Sequence, residues 1–87
     1  KRTATFTAVG YGSTTVTAKI EEYLPRVCIL DFRDVTFMDS SGIAVVLFAL
    51  RRMRELGGVL ALRHIGPQPY KVMKASGLDK LIELTRS

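Results

Sequence analysis

The chain is poor in the residues that most often carry chemistry. It has one cysteine, one histidine and no tryptophan among 87 residues. A single cysteine, Cys28, rules out an internal disulfide and any multi-cysteine metal site, and its place inside an apolar run reads as a small buried side chain in a reduced, cytosolic setting. The lone histidine, His64, stands beside a strand-like run and reads as a strand-end residue with a local hydrogen bond. Neither residue belongs to a nucleophile elbow, a zinc motif or a phosphate loop, so the sequence does not read as an enzyme and calls for no cofactor. Long apolar runs are missing too: the longest, Ile43 to Leu50, is less than half of the roughly 18 to 20 residues that cross a bilayer, and reads as a core helix rather than an inserted one. The N-terminus lacks the charged, apolar and small-residue order of a signal peptide.

Acidic residues are outnumbered, eight against thirteen Lys and Arg, for a net charge of +5. Such a surplus can mark a nucleic-acid surface. Here the basic residues are scattered except in Arg51-Arg52-Met53-Arg54, and no aromatic interleaving accompanies them. No direct contact with nucleic acid is expected, and faster encounter with an acidic protein partner is the better use of the charge.

Apolar patterning predicts alternating strands and helices. Thr3 to Val9 is strand-like and ends at Gly10-Tyr11-Gly12. Ser13 or Thr14 can cap a short helix to about Leu24, with Val16, Ala18, Ile20 and Leu24 as its apolar stripe and Pro25 as its stop. Val27 to Phe32 is a continuous apolar run with one acid, the pattern of a central strand covered on both faces. After an Arg33-Asp34 turn, Val35 to Met38 leads to a cap at Asp39-Ser40 and a helix to Leu56, closed by Gly57-Gly58. On that helix Ile43, Val46, Leu47, Leu50 and Met53 make one stripe expected to face the sheet, and Val45, Phe48, Arg52 and Glu55 the opposite one, which either leaves an apolar patch in solvent or is covered by the first helix or a second copy. Val59 to Arg63 reads as a buried strand, His64-Ile65-Gly66 as a turn, Pro67 to Gly77 as a last helix, and Leu81 to Leu84 as a short strand. The expected fold is α/β: a single small domain, residues 1–87, with a mostly parallel central sheet of about four strands and three helices.

Chemistry concentrates at Asp39-Ser40-Ser41-Gly42. Asp and Ser are the residue types that cap orphan amides at a helix start, and the same amides and positive dipole end accept an added phosphate. Both serines can be simple caps, or one can be a modification site. Asp31, Asp34 and Asp39 could suggest a magnesium cluster, but Asp39 is better used as a cap or as an orienter of the neighbouring hydroxyls, and no metal site is expected.

From Val27 to Leu84 the chain resembles the STAS domain, in particular the bacterial anti-sigma factor antagonists. The resemblance is carried by Ile29-Leu30-Asp31-Phe32, by Val35 through Gly42, by Leu56-Gly57-Gly58 and by Ala75-Ser76-Gly77-Leu78. It implies that Ser41 is the phosphoacceptor and that Asp39, Ser40 and Gly42 shape the turn. With Val45, Phe48 and Arg52 these residues form the implied partner surface. The implied partners are an anti-sigma factor with serine kinase activity and a phosphatase that resets the switch. Gly10-Tyr11-Gly12-Ser13 replaces an acidic segment usual in that family, and Pro69 replaces an apolar residue. The same fold also serves as the STAS domain of membrane transporters, either sulfate-type anion transporters or lipid ABC transporter subunits, and in stress-signalling scaffolds that bind a nucleotide or other small ligand.

Overall fold

The computed structural model describes residues 3–8 and 13–86. They run as β1 (Thr3–Thr7), α1 (Ser13–Tyr23), β2 (Val27–Asp31), α2 (Ser40–Glu55), β3 (Val59–Ile65), α3 (Pro67–Ala75), a short 3-10 helix (Leu78–Lys80) and β4 (Leu84–Arg86). The expected Gly10-Tyr11-Gly12 turn and Val9 lie outside the described residues, as do the side chains of Ser13 and Thr14. All strand pairs are parallel and the order in the sheet is β1-β2-β3-β4. This is the α/β architecture the apolar patterning predicts.

Sequential order has a consequence that the patterning did not anticipate. When parallel strands step always in one direction through crossovers of one hand, every helix falls on the same side of the sheet. The burial pattern agrees. Phe6, Leu30 and Leu62 align across the first three strands, with Leu84 beside Leu62 on β4. Leu30 and Leu62 are sealed in the core with Val16, Ile20, Val46 and Met53 of the helices. The alternate residues form rows Thr3-Val27-Val59 and Thr5-Ile29-Ala61 on the other face. There Val27, Ile29 and Ala61 are only half-buried and Val59 is 59% exposed. β2 is therefore central in the sheet but is roofed by helices on one face only, and β3 is not the doubly buried strand expected.

Three boundaries differ from the expectation by two residues or more, the first two for a packing reason. β3 continues through His64 to Ile65 instead of turning there. His64 adopts φ 58, the register to β4 shifts between Leu62 and Ile65, and two exposed residues in a row, Arg63 and His64, return Ile65 to the core at 1% exposure. Such a bulge re-aims a side chain at the cost of one irregular residue. The last strand begins at Leu84 rather than Leu81, because the chain after Gly77 (φ 83) makes the 3-10 turn that buries Leu78 and leaves Leu81 46% exposed. α3 ends at Ala75, two residues before the expected stop. Pro67 and Pro69 both fit its first turn, where a missing amide is harmless.

α2 is rotated relative to the expected stripe. Its buried residues are Val46, Ala49, Leu50 and Met53, whereas Leu47 is 41% exposed. The rotation follows from α1, which packs against the flank of α2 and draws Ala49 inward. Val45, expected to point outward, is half-buried against the core, while Phe48 remains 47% exposed. Arg52 ties the two helices: its Nη2 donates to Glu21 Oε1 at 2.9 Å and its Nη1 to Glu55 Oε1 at 3.0 Å. The pair shifts both partners, Glu21 downward chiefly through the hydrogen bond from Arg52, and Arg52 upward chiefly through Glu21. Gly57, at φ 75, closes α2 in the left-handed conformation expected of it. Cys28 is fully buried, and burial pushes its thiol pKa up to about 11, so it is held as an inert thiol.

Candidate functional site

The start of α2 is built from both sides in sequence. Upstream, the β2 carboxyl end turns sharply: the Arg33 amide donates to Asp31 Oδ1 at 2.8 Å and the Val35 amide to the Phe32 carbonyl at 3.0 Å. The loop then alternates an exposed Phe37, 68% accessible, with a buried Met38. Met38 is anchored by a residue the sequence reading missed. Gln68 on α3 accepts from the Met38 amide at 2.7 Å and donates to the Met38 carbonyl at 3.0 Å. That two-point clamp satisfies a backbone group in each direction and fixes the residue immediately before the cap. Gln68 is 30 residues away in sequence and belongs to no local motif, so only tertiary structure reveals it.

Asp39 is the N-cap of α2, with φ −134 and ψ −165. Its Oδ1 accepts from the Ser41 amide at 3.1 Å and from the Ser41 hydroxyl at 2.6 Å. Its carbonyl accepts from the amides of Gly42 and Ile43 at 3.0 and 3.2 Å. The Ser41 hydrogen bonds hold the Asp39 carboxyl below the usual carboxylate range. Asp39 thus does both jobs open to it, closing the helix and orienting the neighbouring hydroxyl. Ser40 and Ser41 are both exposed.

Gly42 sits where a side chain would collide. A Cβ there would lie 2.8 Å from Met38 Cγ, so any larger residue pushes against the side chain that seats the loop. Beside these residues, at the carboxyl ends of β1 and β2, is a cleft of about 410 Å³ whose walls include Val35, Phe37, Met38, Asp39, Ser41 and Val45. Open parallel sheets commonly place their working surfaces at this end.

Of the residues singled out, Asp39, Ser40, Ser41 and Gly42 come together at this helix start. Val45 flanks them on the cleft wall and Phe48 projects from the exposed side of α2. Arg52 lies at the far end of the helix, occupied by Glu21 and Glu55. Of the other two aspartates of the potential cluster, Asp34 lines the same cleft as Asp39. Asp31 is engaged by Arg33, whose guanidinium also lies 3.0 Å from His64 Nε2. Among the described residues no group of three or more His, Cys, Asp or Glu side chains comes close enough to hold a metal ion. Among them also no helix is long and apolar enough to cross a membrane.

A right-stepping parallel sheet with its helices on one face and a capped, serine-bearing helix start defines a class, and sequence comparison agrees. The family model of the STAS domain matches residues 5–87, and the chain belongs to that family. Its relatives include the anti-sigma F factor antagonist of Paenibacillus polymyxa, 30% identical over 56 residues that make up 64% of this chain and 48% of the relative. The anti-sigma-B factor antagonist of Bacillus subtilis (strain 168) is 27% identical over 60 residues, 69% of this chain and 52% of the relative. The chain spans about half the length of the curated relatives it matches.

The cap geometry yields a pH test. A carboxyl whose folded pKa is lowered contributes stability that is complete above its unfolded pKa and is lost as pH falls through the folded value. Asp39→Ala is therefore expected to melt at a lower temperature than wild type at neutral pH, with the gap closing in strong acid. Asp39→Asn, which keeps an acceptor for the Ser41 amide, should fall between the two. Thermal melts across the acid range, followed by circular dichroism, measure both differences; a gap that stays constant with pH would remove the charged cap from the account.

Proposed function

We propose that this chain is an anti-sigma factor antagonist that works by partner switching in the cytoplasm. The observation that carries the proposal is the exposed Ser41 hydroxyl, held by Asp39 at the amide-rich start of α2. Two relatives named as anti-sigma factor antagonists support it. Unphosphorylated, the chain binds an anti-sigma factor of the serine-kinase type through Asp39, Ser40, Ser41 and Gly42, with Val45, Phe48 and Arg52 on the flanking helix. The kinase transfers the γ-phosphoryl group of its ATP to Ser41 Oγ. The new O–P bond replaces the one to ADP, and the hydroxyl proton leaves to a base. A separate phosphatase hydrolyses the phosphoserine and resets the chain. In this cycle the protein is ligand and substrate, not catalyst, and needs no cofactor, membrane insertion or direct nucleic-acid contact of its own.

Modification is compatible with the fold. Phosphate adds roughly −1.5 to −2 charge at a helix end that favours anions. The Asp39–Ser41 hydroxyl bond is lost, yet the Asp39 backbone carbonyl still receives the amides of Gly42 and Ile43. The partner feels the added charge most. A carboxylate about 4 Å away across the interface, at an effective dielectric near 20, is repelled by about 4 kcal/mol per unit charge pair, roughly a thousandfold in affinity. The test is capture of the bound partner from the source organism with the unmodified protein as bait. Recovery of a serine-kinase anti-sigma factor, released again when ATP and magnesium are supplied, is the expected result. Recovery of a permease or a transporter ATPase in its place would overturn the reading in favour of a transport role.

A further inference from the structure

A second surface on α2 lies away from Ser41 and is built differently. The flank that faces the 3-10 segment forms a groove of about 470 Å³ lined by Leu47, Leu50, Arg51, Arg54, Glu55 and Leu81. Two of its leucines are open to solvent, Leu47 at 41% and Leu81 at 46%. Its charges are unbalanced. The Glu55 carboxylate is held by Arg52, and the Arg51 guanidinium lies 5.7 Å from the centroid of the exposed Phe48 ring. Among the described residues Arg54 has no ion-pair partner. The result is an apolar trough with two cations that form no ion pair among the described residues, on a chain of net charge +5.

From this we infer that the groove docks an acidic amphipathic segment of the protein partner. One or two aliphatic side chains would sit between Leu47 and Leu81, and carboxylates on the same segment would reach Arg51 and Arg54. Such a segment matches both halves of the surface, because desolvated leucines supply the burial and complementary charge sets orientation and encounter rate. A nucleic-acid strand fits poorly, since an apolar floor offers nothing to a phosphate chain and no ring in the groove can stack a base. An anionic bilayer satisfies the arginines, but the leucines line a concavity rather than project from it, so they would not enter lipid together.

This inference rests on the proposed function for the identity of the partner and gives that partner a second, distinct point of contact. Arg54 lies thirteen positions after Ser41, about 20 Å along the helix, so one protein can cover both. The arrangement also supplies a reason for the switch to act on charge. A partner that offers carboxylates to the basic end of α2 brings an acidic surface to the helix, which a dianion at Ser41 repels.

The experiment measures the affinity of the captured serine-kinase partner for four proteins: wild type, Arg51→Glu/Arg54→Glu, Leu47→Ser/Leu81→Ser and Ser41→Asp. Circular dichroism melts establish that each is folded. The two groove variants should each bind about tenfold or more weakly, and the arginine variant should lose most of the salt dependence shown by wild type. If Ser41→Asp weakens binding and both groove variants bind like wild type, the groove inference falls while the function stands. If the groove variants weaken binding and Ser41→Asp does not, the groove stands and the switch falls. A parallel arm uses vesicles of phosphatidylglycerol and phosphatidylcholine. Arginine-dependent binding to those vesicles, with no groove effect on the protein partner, would make the surface a membrane contact and overturn the inference.

Discussion

Ser41→Ala is expected, on the proposed function, to abolish labelling by the proposed serine-kinase partner, and Ser41→Asp to weaken binding of that partner by an order of magnitude or more. Both follow from one local geometry. The Ser41 residue is exposed and the direction of its hydroxyl is set by Asp39 Oδ1 at 2.6 Å, so the proposed acceptor oxygen is held in a fixed orientation. Removing that oxygen removes the site, whereas the backbone amide of residue 41 still finds the Asp39 cap and the helix start survives. Aspartate at 41 instead places a charge where the hydroxyl stood, within reach of Asp39 and of any acidic group across the interface. It carries about one negative charge against the −1.5 to −2 of phosphate, so its effect should be the smaller of the two. Phosphorylation assays with ATP and the purified kinase, and binding isotherms for the three proteins, read the result. Equal labelling of Ser41→Ala would move the acceptor to Ser40 or elsewhere, and full-affinity binding by Ser41→Asp would remove electrostatic repulsion as the switch.

The largest stability effect is expected at Leu62. Its side chain is fully buried on β3, between Leu30 of β2 and Leu84 of β4, and it meets the helices on the single covered face of the sheet. Leu62→Ala removes buried methyl groups and leaves a cavity that rigid neighbours on three sides cannot close. Such substitutions cost about 2–5 kcal/mol. Domains of this size hold a total of about 5–15 kcal/mol, so at the middle of both ranges about a third of the stability is at stake, and the melting temperature should fall by about 10 °C or more. Val59→Ala supplies the contrast. Val59 belongs to the same strand but is 59% exposed on the open face, and its loss should change stability by about 0.5 kcal/mol or less. Urea titrations of the two variants measure the difference. Comparable losses at both positions would mean that the uncovered face is packed in solution and that the one-sided sheet is not the whole assembly.

Much of this architecture was legible before any coordinate. The apolar run at Val27 predicted β2, the spaced aliphatics after Ser41 predicted α2, and Gly57 marked its end, because each of these signals is local and acts through backbone propensity or periodicity. The cap was legible for the same reason: Asp39 and Ser41 are neighbours in sequence, and short side chains there have few other partners. The errors fall where two elements meet. Leu47 was placed in the core stripe from its spacing alone, but α1 packs on the opposite flank of α2 and turns Ala49 inward, leaving Leu47 in solvent. Which neighbour meets the face that carries Arg52 was left open by its spacing, and it is Glu21 of α1, 31 positions away.

What the sequence alone determined is therefore the inventory and the order of elements, together with the capped serine and the absence of a second cysteine or histidine to do chemistry. Tertiary structure decided three things that no local signal encodes: the one-sided covering of the sheet, the clamp of Gln68 on Met38, and the placing of exposed Leu47 and Leu81 beside Arg51 and Arg54 at the 3-10 turn. The physical reason is common to all three. Propensity and periodicity specify which way a segment curls and which residues prefer burial, but which face is covered, and by whom, depends on contacts between residues tens of positions apart.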